Sequence, residues 1–74
     1  MTIIDIASQV CSSLEGFYGS DVIDNHNYIV LINAIGSKDE ATIVRELPEA
    51  MDVLRNFGCE DVDALQSMFN IETN

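Results

Sequence analysis

The hydrophobic and polar positions of the N-terminal segment follow a helical repeat. Apolar residues recur every three or four positions, at Ile3, Ile6, Ala7, Val10, Cys11 and Leu14. This is the spacing of one buried helix face. Thr2 lies before the stripe as a plausible N-cap, and Gly16 supplies a stop. Asp5 occupies the N3 position, which is close to a capping box with Asp in place of Glu. The pattern predicts a helix over about residues 3–15.

The next segment changes to patterns that are typical of strands. Aromatic and β-branched residues in segment 17–23 favour a strand. The polar turn residues of segment 24–27 follow, and segment 28–32, Tyr-Ile-Val-Leu-Ile, predicts a strand buried on both faces. A competing interpretation makes residues 20–35 one helix, with Ser20 as its N-cap and Gly36 just beyond its end. That helix would contain several mediocre helix formers, so the hairpin is preferred.

Segment 37–47 carries two conflicting signals. A Ser-x-x-Glu capping box at 37–40 predicts a helix that begins at Lys38. Against this, residues 42–44 are all β-branched, and the residue before Pro48 is biased toward extended geometry. A third strand would give the central strand a second neighbour, and a lone hairpin is marginal in water. We therefore predict a strand over residues 41–47.

The C-terminal third is predicted to be helical. Pro48 suits the first position of a helix, and Gly58 suits its end, which predicts a helix over residues 48–57. Glu60 or Asp61 is expected to cap a final helix that reaches about Asn70. Residues 71–74 are expected to form a flexible tail.

These elements predict a fold of the α+β class. The chain would be a single compact domain over residues 1–74, in the order α-β-β-β-α-α, with a short antiparallel sheet packed on helices. The alternative is an all-α domain of four or five short helices.

The charge of the chain limits the classes of partner. Among 74 residues, 13 are Asp or Glu and 3 are Lys or Arg, which gives a formal net charge of -10. This balance argues against direct binding of nucleic-acid phosphates and of anionic membranes, since both need basic residues. It favours a basic protein as the partner. Such a partner could itself be a nucleic-acid-binding protein, because an acidic surface can occupy its DNA site.

The acidic residues are concentrated in the second half of the chain. Helix dipoles and the spacings Arg45–Glu49 and Asp52–Arg55 explain some of them. They do not explain the scarcity of compensating basic residues. We predict a partner-binding face made of Asp39, Glu40, Glu46, Glu49, Asp52, Glu60, Asp61 and Asp63.

The sequence contains no pattern that indicates catalysis, a cofactor or a metal site. His26 is the only histidine and is expected in a solvated turn, and the acidic and amide residues around it lack the spacing of an EF-hand. Cys11 and Cys59 predict buried free thiols in a reducing cytoplasm, with one disulfide as the minority alternative. The longest apolar run has five residues and the N-terminus lacks a basic region, so neither a membrane span nor a secretory signal is expected.

The function predicted from these features is binding without catalysis. The chain would be a small acidic inhibitor, immunity protein or anti-defence protein, of bacterial or phage type, that blocks a basic target protein. The uncharged polar side of the first helix, with Ser8, Gln9, Ser12 and Ser13, would suit a partner as well. The alternative is a homo-oligomeric assembly module, of which a homodimer is the simplest form.

Overall fold

The computed structural model describes all 74 residues, and every regular element in it is helical. Four α-helices follow one another in the chain, and a 3₁₀ helix at Gly19–Asp24 joins the first two. The α-helices are α1 (Ile3–Tyr18), α2 (His26–Ser37), α3 (Glu40–Asn56) and α4 (Val62–Thr73). Helices α1 and α3 form the centre of the bundle, since each of them packs against all three other α-helices.

The predicted α+β fold is wrong, and the all-α alternative describes the class correctly. Segment 17–23 lies in the end of α1 and the 3₁₀ helix, segment 28–32 lies in α2, and segment 41–47 lies in α3. Within α2 the buried residues are Asn27, Leu31 and Ala34. That spacing of three and four is one face of a helix, whereas a strand buried on both faces would hide every residue.

Helix α2 begins in the polar segment that was predicted to be a turn. Asn25 is its N-cap, and the side-chain oxygen accepts a 2.9 Å hydrogen bond from the Tyr28 amide. The competing prediction, a helix over 20–35, gave the correct type of element but the wrong bounds. Gly36 lies inside α2, and Lys38 (φ 56°) closes the helix. β-branched residues cost a few tenths of a kcal/mol each in a helix, which is small beside the ~2 kcal/mol gained by burying a side chain such as Leu31.

Helix α3 contains both the predicted third strand and the predicted helix 48–57. Its N-cap is Asp39, not the expected Ser37, whose hydroxyl instead donates a 3.0 Å hydrogen bond to the Asn33 carbonyl at the end of α2. Pro48 is an interior residue of the helix and not its start. One buried stripe continues past it on both sides, through Ile43, Leu47, Ala50, Met51 and Leu54.

The ends of α1 and α4 differ from the predicted bounds by a few residues. The capping box at the start of α1 is confirmed, with 3.1 Å bonds in both directions between Thr2 and Asp5. The helix passes Gly16 and ends at Gly19, whose φ of 61° suits glycine. Helix α4 runs to Thr73, through most of the segment expected to be a tail.

The core draws on every helix. It contains 17 buried apolar residues, including the whole predicted stripe of α1. The largest fully buried side chains include Ile6, Leu31, Ile43, Met51 and Leu54. None of the helices combines the length and the apolar character needed to cross a membrane.

Candidate interaction surface

The histidine and the two cysteines lie on different elements. His26 is an exposed residue in the first turn of α2, Cys11 is buried in α1, and Cys59 is half-buried in the turn between α3 and α4. Both thiols are free. Burial raises the pKa of Cys11 to about 11, and the Glu15 carboxylate adds to the shift, so this thiol stays protonated at neutral pH. No group of three or more His, Cys, Asp or Glu side chains is placed to hold a metal ion.

Two of the eight carboxylates predicted to bind a partner have structural roles at α3. Asp39 accepts hydrogen bonds from the hydroxyl and the backbone amide of Thr42, at 2.6 and 3.2 Å, and these bonds lower the pKa of Asp39. Glu46 is half-buried and accepts a 2.8 Å hydrogen bond from the side-chain amide of Asn27. Both carboxylates therefore stabilise the fold.

Two more of the predicted carboxylates surround Arg55. The guanidinium donates a 2.7 Å hydrogen bond to Asp52 on its own helix and lies 3.8 Å from Asp63 on α4. It also donates a 2.8 Å hydrogen bond to Gln66 on α4. The pairing of Asp52 with Arg55 agrees with the predicted i,i+3 spacing. Arg55 consequently links the two C-terminal helices and neutralises part of their negative charge.

The remaining four predicted residues have no partner within the chain. They are exposed and make neither a hydrogen bond nor an ion pair, and we call them the free carboxylates: Glu40, Glu49, Glu60 and Asp61. Arg45 was expected to pair with Glu49, but its guanidinium lies 3.4 Å from the Thr42 hydroxyl instead. Because α3 alone is about 25 Å long, the free carboxylates extend along the bundle and do not form one compact cluster.

An exposed aromatic cluster joins the ends of α1 and α3. The rings of Phe17 and Phe57 are stacked, with centroids 5.1 Å apart and planes 13° apart, and Tyr18 meets Phe57 edge-on at 5.1 Å. Phe17 and Phe57 remain 43% and 44% exposed. An open groove of about 280 Å³ lies beside the cluster, lined by Tyr18, Phe57, Val53 and Asn56.

This cluster was not predicted from the sequence, because segment 17–23 was predicted to be a strand. A usable signal was present in the chain. Aromatic residues occupy the last turn or the end of two helices, and a glycine follows each helix end closely, at Gly19 and Gly58. Such glycines mark where the two helices end, and therefore which side chains occupy their last turns.

A second open groove, of about 310 Å³, lies between α1 and α4. Gln9, Ser12 and Ser13 of the uncharged side of α1 line it, opposite Asp61 and Met68. Ser8, which was predicted to belong to the same polar side, is exposed but does not line the groove. The groove therefore places one free carboxylate beside a row of side chains that can donate and accept hydrogen bonds.

Neither a protein-family model, nor a curated protein, nor a solved structure matches the chain. Function is consequently inferred from the surface itself. Its distinctive features are the free carboxylates, the exposed aromatic cluster and the two grooves.

Proposed function

We propose that the protein is a non-catalytic binding module that blocks a basic target protein, in the manner of inhibitors, immunity proteins and anti-defence proteins. The observation that carries the proposal is the set of four free carboxylates, on a chain of net charge -10, whose side chains make no hydrogen bond or ion pair within the fold. A target that binds nucleic acid fits this chemistry best, because its basic site is built to receive a row of negative charges.

Electrostatics would determine the rate at which the two proteins meet. A surface of one sign steers an oppositely charged partner and can raise the association rate well above that of a neutral pair. Arg55 offsets one of the two negative charges of Asp52 and Asp63, so the free carboxylates are the largest group of uncompensated charges in this half of the chain.

The aromatic cluster would supply apolar contact at the interface. Exposed aromatic side chains are enriched among the residues that dominate binding energy. Phe17 and Phe57 hold each other in place by stacking, so they would lose little side-chain freedom on binding. Arginine side chains of a basic target could also stack on these rings. We further propose a cytoplasmic location, on the basis of the two free thiols.

The test begins with capture of the target from a lysate of the native host, followed by kinetics with the purified pair. The association rate should fall steeply as salt rises. The triple variant Glu49→Gln, Glu60→Gln, Asp61→Asn should lower the association rate at low salt by about tenfold, with a smaller effect on dissociation.

A matched control uses three other exposed carboxylates that have no partner in the chain. The variant Asp21→Asn, Asp24→Asn, Glu72→Gln removes the same amount of charge from other elements. It should slow association much less than the first variant, because steering depends on where the charge lies. An association rate that is independent of salt, or two variants with equal effects, would overturn the proposal.

A further inference from the structure

Helix α2 exposes two isoleucines, Ile29 and Ile32, beside the polar residues His26 and Asn33. Its sequence, HNYIVLINAIGS, contains no Asp, Glu, Lys or Arg, whereas each of the other three α-helices carries carboxylates. Ile29 and Ile32 lie one turn apart on the side of α2 away from its buried residues, and they are 42% and 41% exposed. The two neighbouring isoleucines form a small exposed apolar patch, and contiguous apolar patches can mark interaction sites.

Gly36 belongs to the same outward side of α2, seven residues after Ile29. A Cβ atom added at Gly36 would meet no atom within 4 Å, so packing within the chain does not require a glycine there. A glycine inside a helix is unfavourable by about 1 kcal/mol relative to alanine. Its presence beside the two isoleucines leaves room for another backbone to approach closely.

We propose that two copies of the chain associate through this face, with their α2 helices antiparallel about a two-fold axis that passes between Ile29 and Ile32. A second copy fits better than the basic target, because α2 offers no carboxylate to a basic surface. It is also the one helix through which two chains of charge -10 can meet without bringing carboxylates of that helix together.

The charges at the two ends of α2 favour the antiparallel arrangement. Lys38 closes the helix and forms no ion pair in the chain, and Asp24 lies just before the N-cap and is also unpaired. An axis between Ile29 and Ile32 brings the Lys38 end of one α2 to about the level of Asp24 of the other, at both ends of the pair. A parallel arrangement would bring like charges and like helix ends together.

The size of the face predicts a weak dimer. A helix of this length is about 18 Å long and about 10 Å wide. The area of one such face is much smaller than the roughly 800 Å² that each partner buries in a standard stable interface. The remaining carboxylates of the two copies repel each other across the pair. Added salt should therefore strengthen self-association, which is the opposite of its effect on binding of a basic target. Failure of one proposal can thus be told apart from failure of the other.

The experiment is sedimentation equilibrium of the full chain, from about 10 µM to about 1 mM, which covers weak association. The wild-type protein should show a monomer–dimer equilibrium whose association constant rises with salt. The variant Ile29→Gln, Ile32→Gln should lower that constant at least about tenfold. Glutamine suits a helix, so circular dichroism should show the helical content unchanged.

Ile71→Gln is the matched control, since Ile71 is 74% exposed on α4 and undergoes the same change of side chain. It should dimerise like the wild type. The orientation is tested by Lys38→Glu, which should weaken the dimer, and by Asp24→Lys combined with Lys38→Glu, which should restore it. A monomer throughout the concentration range, or a dimer indifferent to the Ile29 and Ile32 changes, overturns the proposal. Failure of the charge swap to restore association overturns the antiparallel arrangement.

Discussion

The side-chain amide of Asn27 donates a 2.8 Å hydrogen bond to Glu46, and this bond ties α2 to α3. Asn27 is the one polar residue among the buried set. The bond gives Glu46 a structural role, whereas the sequence predicted that Glu46 belongs to the partner-binding face. The Asn27 side chain is buried, so water cannot readily replace its amide. Loss of the amide would therefore leave the half-buried Glu46 carboxylate without this hydrogen-bond donor.

Replacing Asn27 with alanine is expected to destabilise the protein. The variant gains helix propensity, so the matched variant Asn33→Ala, at an exposed site of the same helix, serves as its reference. The difference between the two free energies of unfolding should be about 1–2 kcal/mol, with Asn27→Ala the less stable. Urea unfolding followed by circular dichroism measures it. Equal stabilities of the two variants would show that the bond contributes nothing.

Tyr28 provides a pH-dependent test of the contact between α1 and α2. Its hydroxyl donates a 2.6 Å hydrogen bond to the Glu15 carboxylate, which raises the pKa of Tyr28 above its usual value. The folded state thus favours the neutral phenol. The stabilisation is fully present below the ordinary tyrosine pKa of about 10 and is lost as pH rises through the higher folded value.

The measurement is a titration of tyrosine absorbance in the variant Tyr18→Phe, which leaves Tyr28 as the only tyrosine. Adding Glu15→Gln removes the carboxylate charge and should move the midpoint of the titration to lower pH. Adding Glu72→Gln instead, on α4, removes one charge elsewhere and should leave the midpoint nearly unchanged. A midpoint that responds equally to both changes would mean that net charge, and not the hydrogen bond, sets the pKa.

The sequence predicted a helix correctly where the local helix signals and the pattern of buried positions indicate the same structure. The stripe from Ile3 to Leu14, with its capping box, predicted α1 because each buried residue of that helix is apolar. Segment 28–32 was wrongly predicted to be a strand because nearly all its residues are apolar, although only Leu31 is fully buried. Its composition resembles a buried strand, and a face that leaves Ile29 and Ile32 outside cannot be recognised without the neighbouring helices.

The predicted binding residues were limited in a similar way. Local spacing identified the partner of Asp52, since Arg55 follows it by one helical turn. The partners of Glu46 and Asp63 lie on other helices, so no local rule could have excluded these two carboxylates from the binding face. The four free carboxylates remain as the testable part of the prediction.

The stacked pair of Phe17 and Phe57 should couple the end of α1 to the end of α3. We expect a double-mutant cycle with Phe17→Leu and Phe57→Leu to give a coupling energy of about 0.5–1.5 kcal/mol. Leucine keeps most of the apolar volume, so the coupling reports ring stacking. A control cycle combines Phe17→Leu with Ile71→Gln, and its coupling should be near zero because Ile71 has no ring to stack on Phe17. Equal coupling in both cycles would contradict a specific interaction between the rings.

Pro48 gives the sharpest test of α3 as one continuous helix. Within the helix its nitrogen cannot donate to the carbonyl of Val44, four residues earlier, and its ring crowds that carbonyl. Pro48→Ala restores the donor at an exposed position. The unfolded chain gains some freedom, which opposes the effect, so the net gain in the free energy of unfolding should be about 1–2 kcal/mol.

The control for Pro48→Ala is Glu49→Ala, at the next exposed position of α3, which should change stability by less than about 0.5 kcal/mol. Thermal and urea unfolding measure both variants. The sign of the Pro48→Ala effect separates the two architectures. If residues 41–47 formed a strand and a helix began at Pro48, proline would occupy the first helical position, where it is favourable, and alanine would bring no gain. A stabilised Pro48→Ala variant is therefore expected only from the uninterrupted helix Glu40–Asn56.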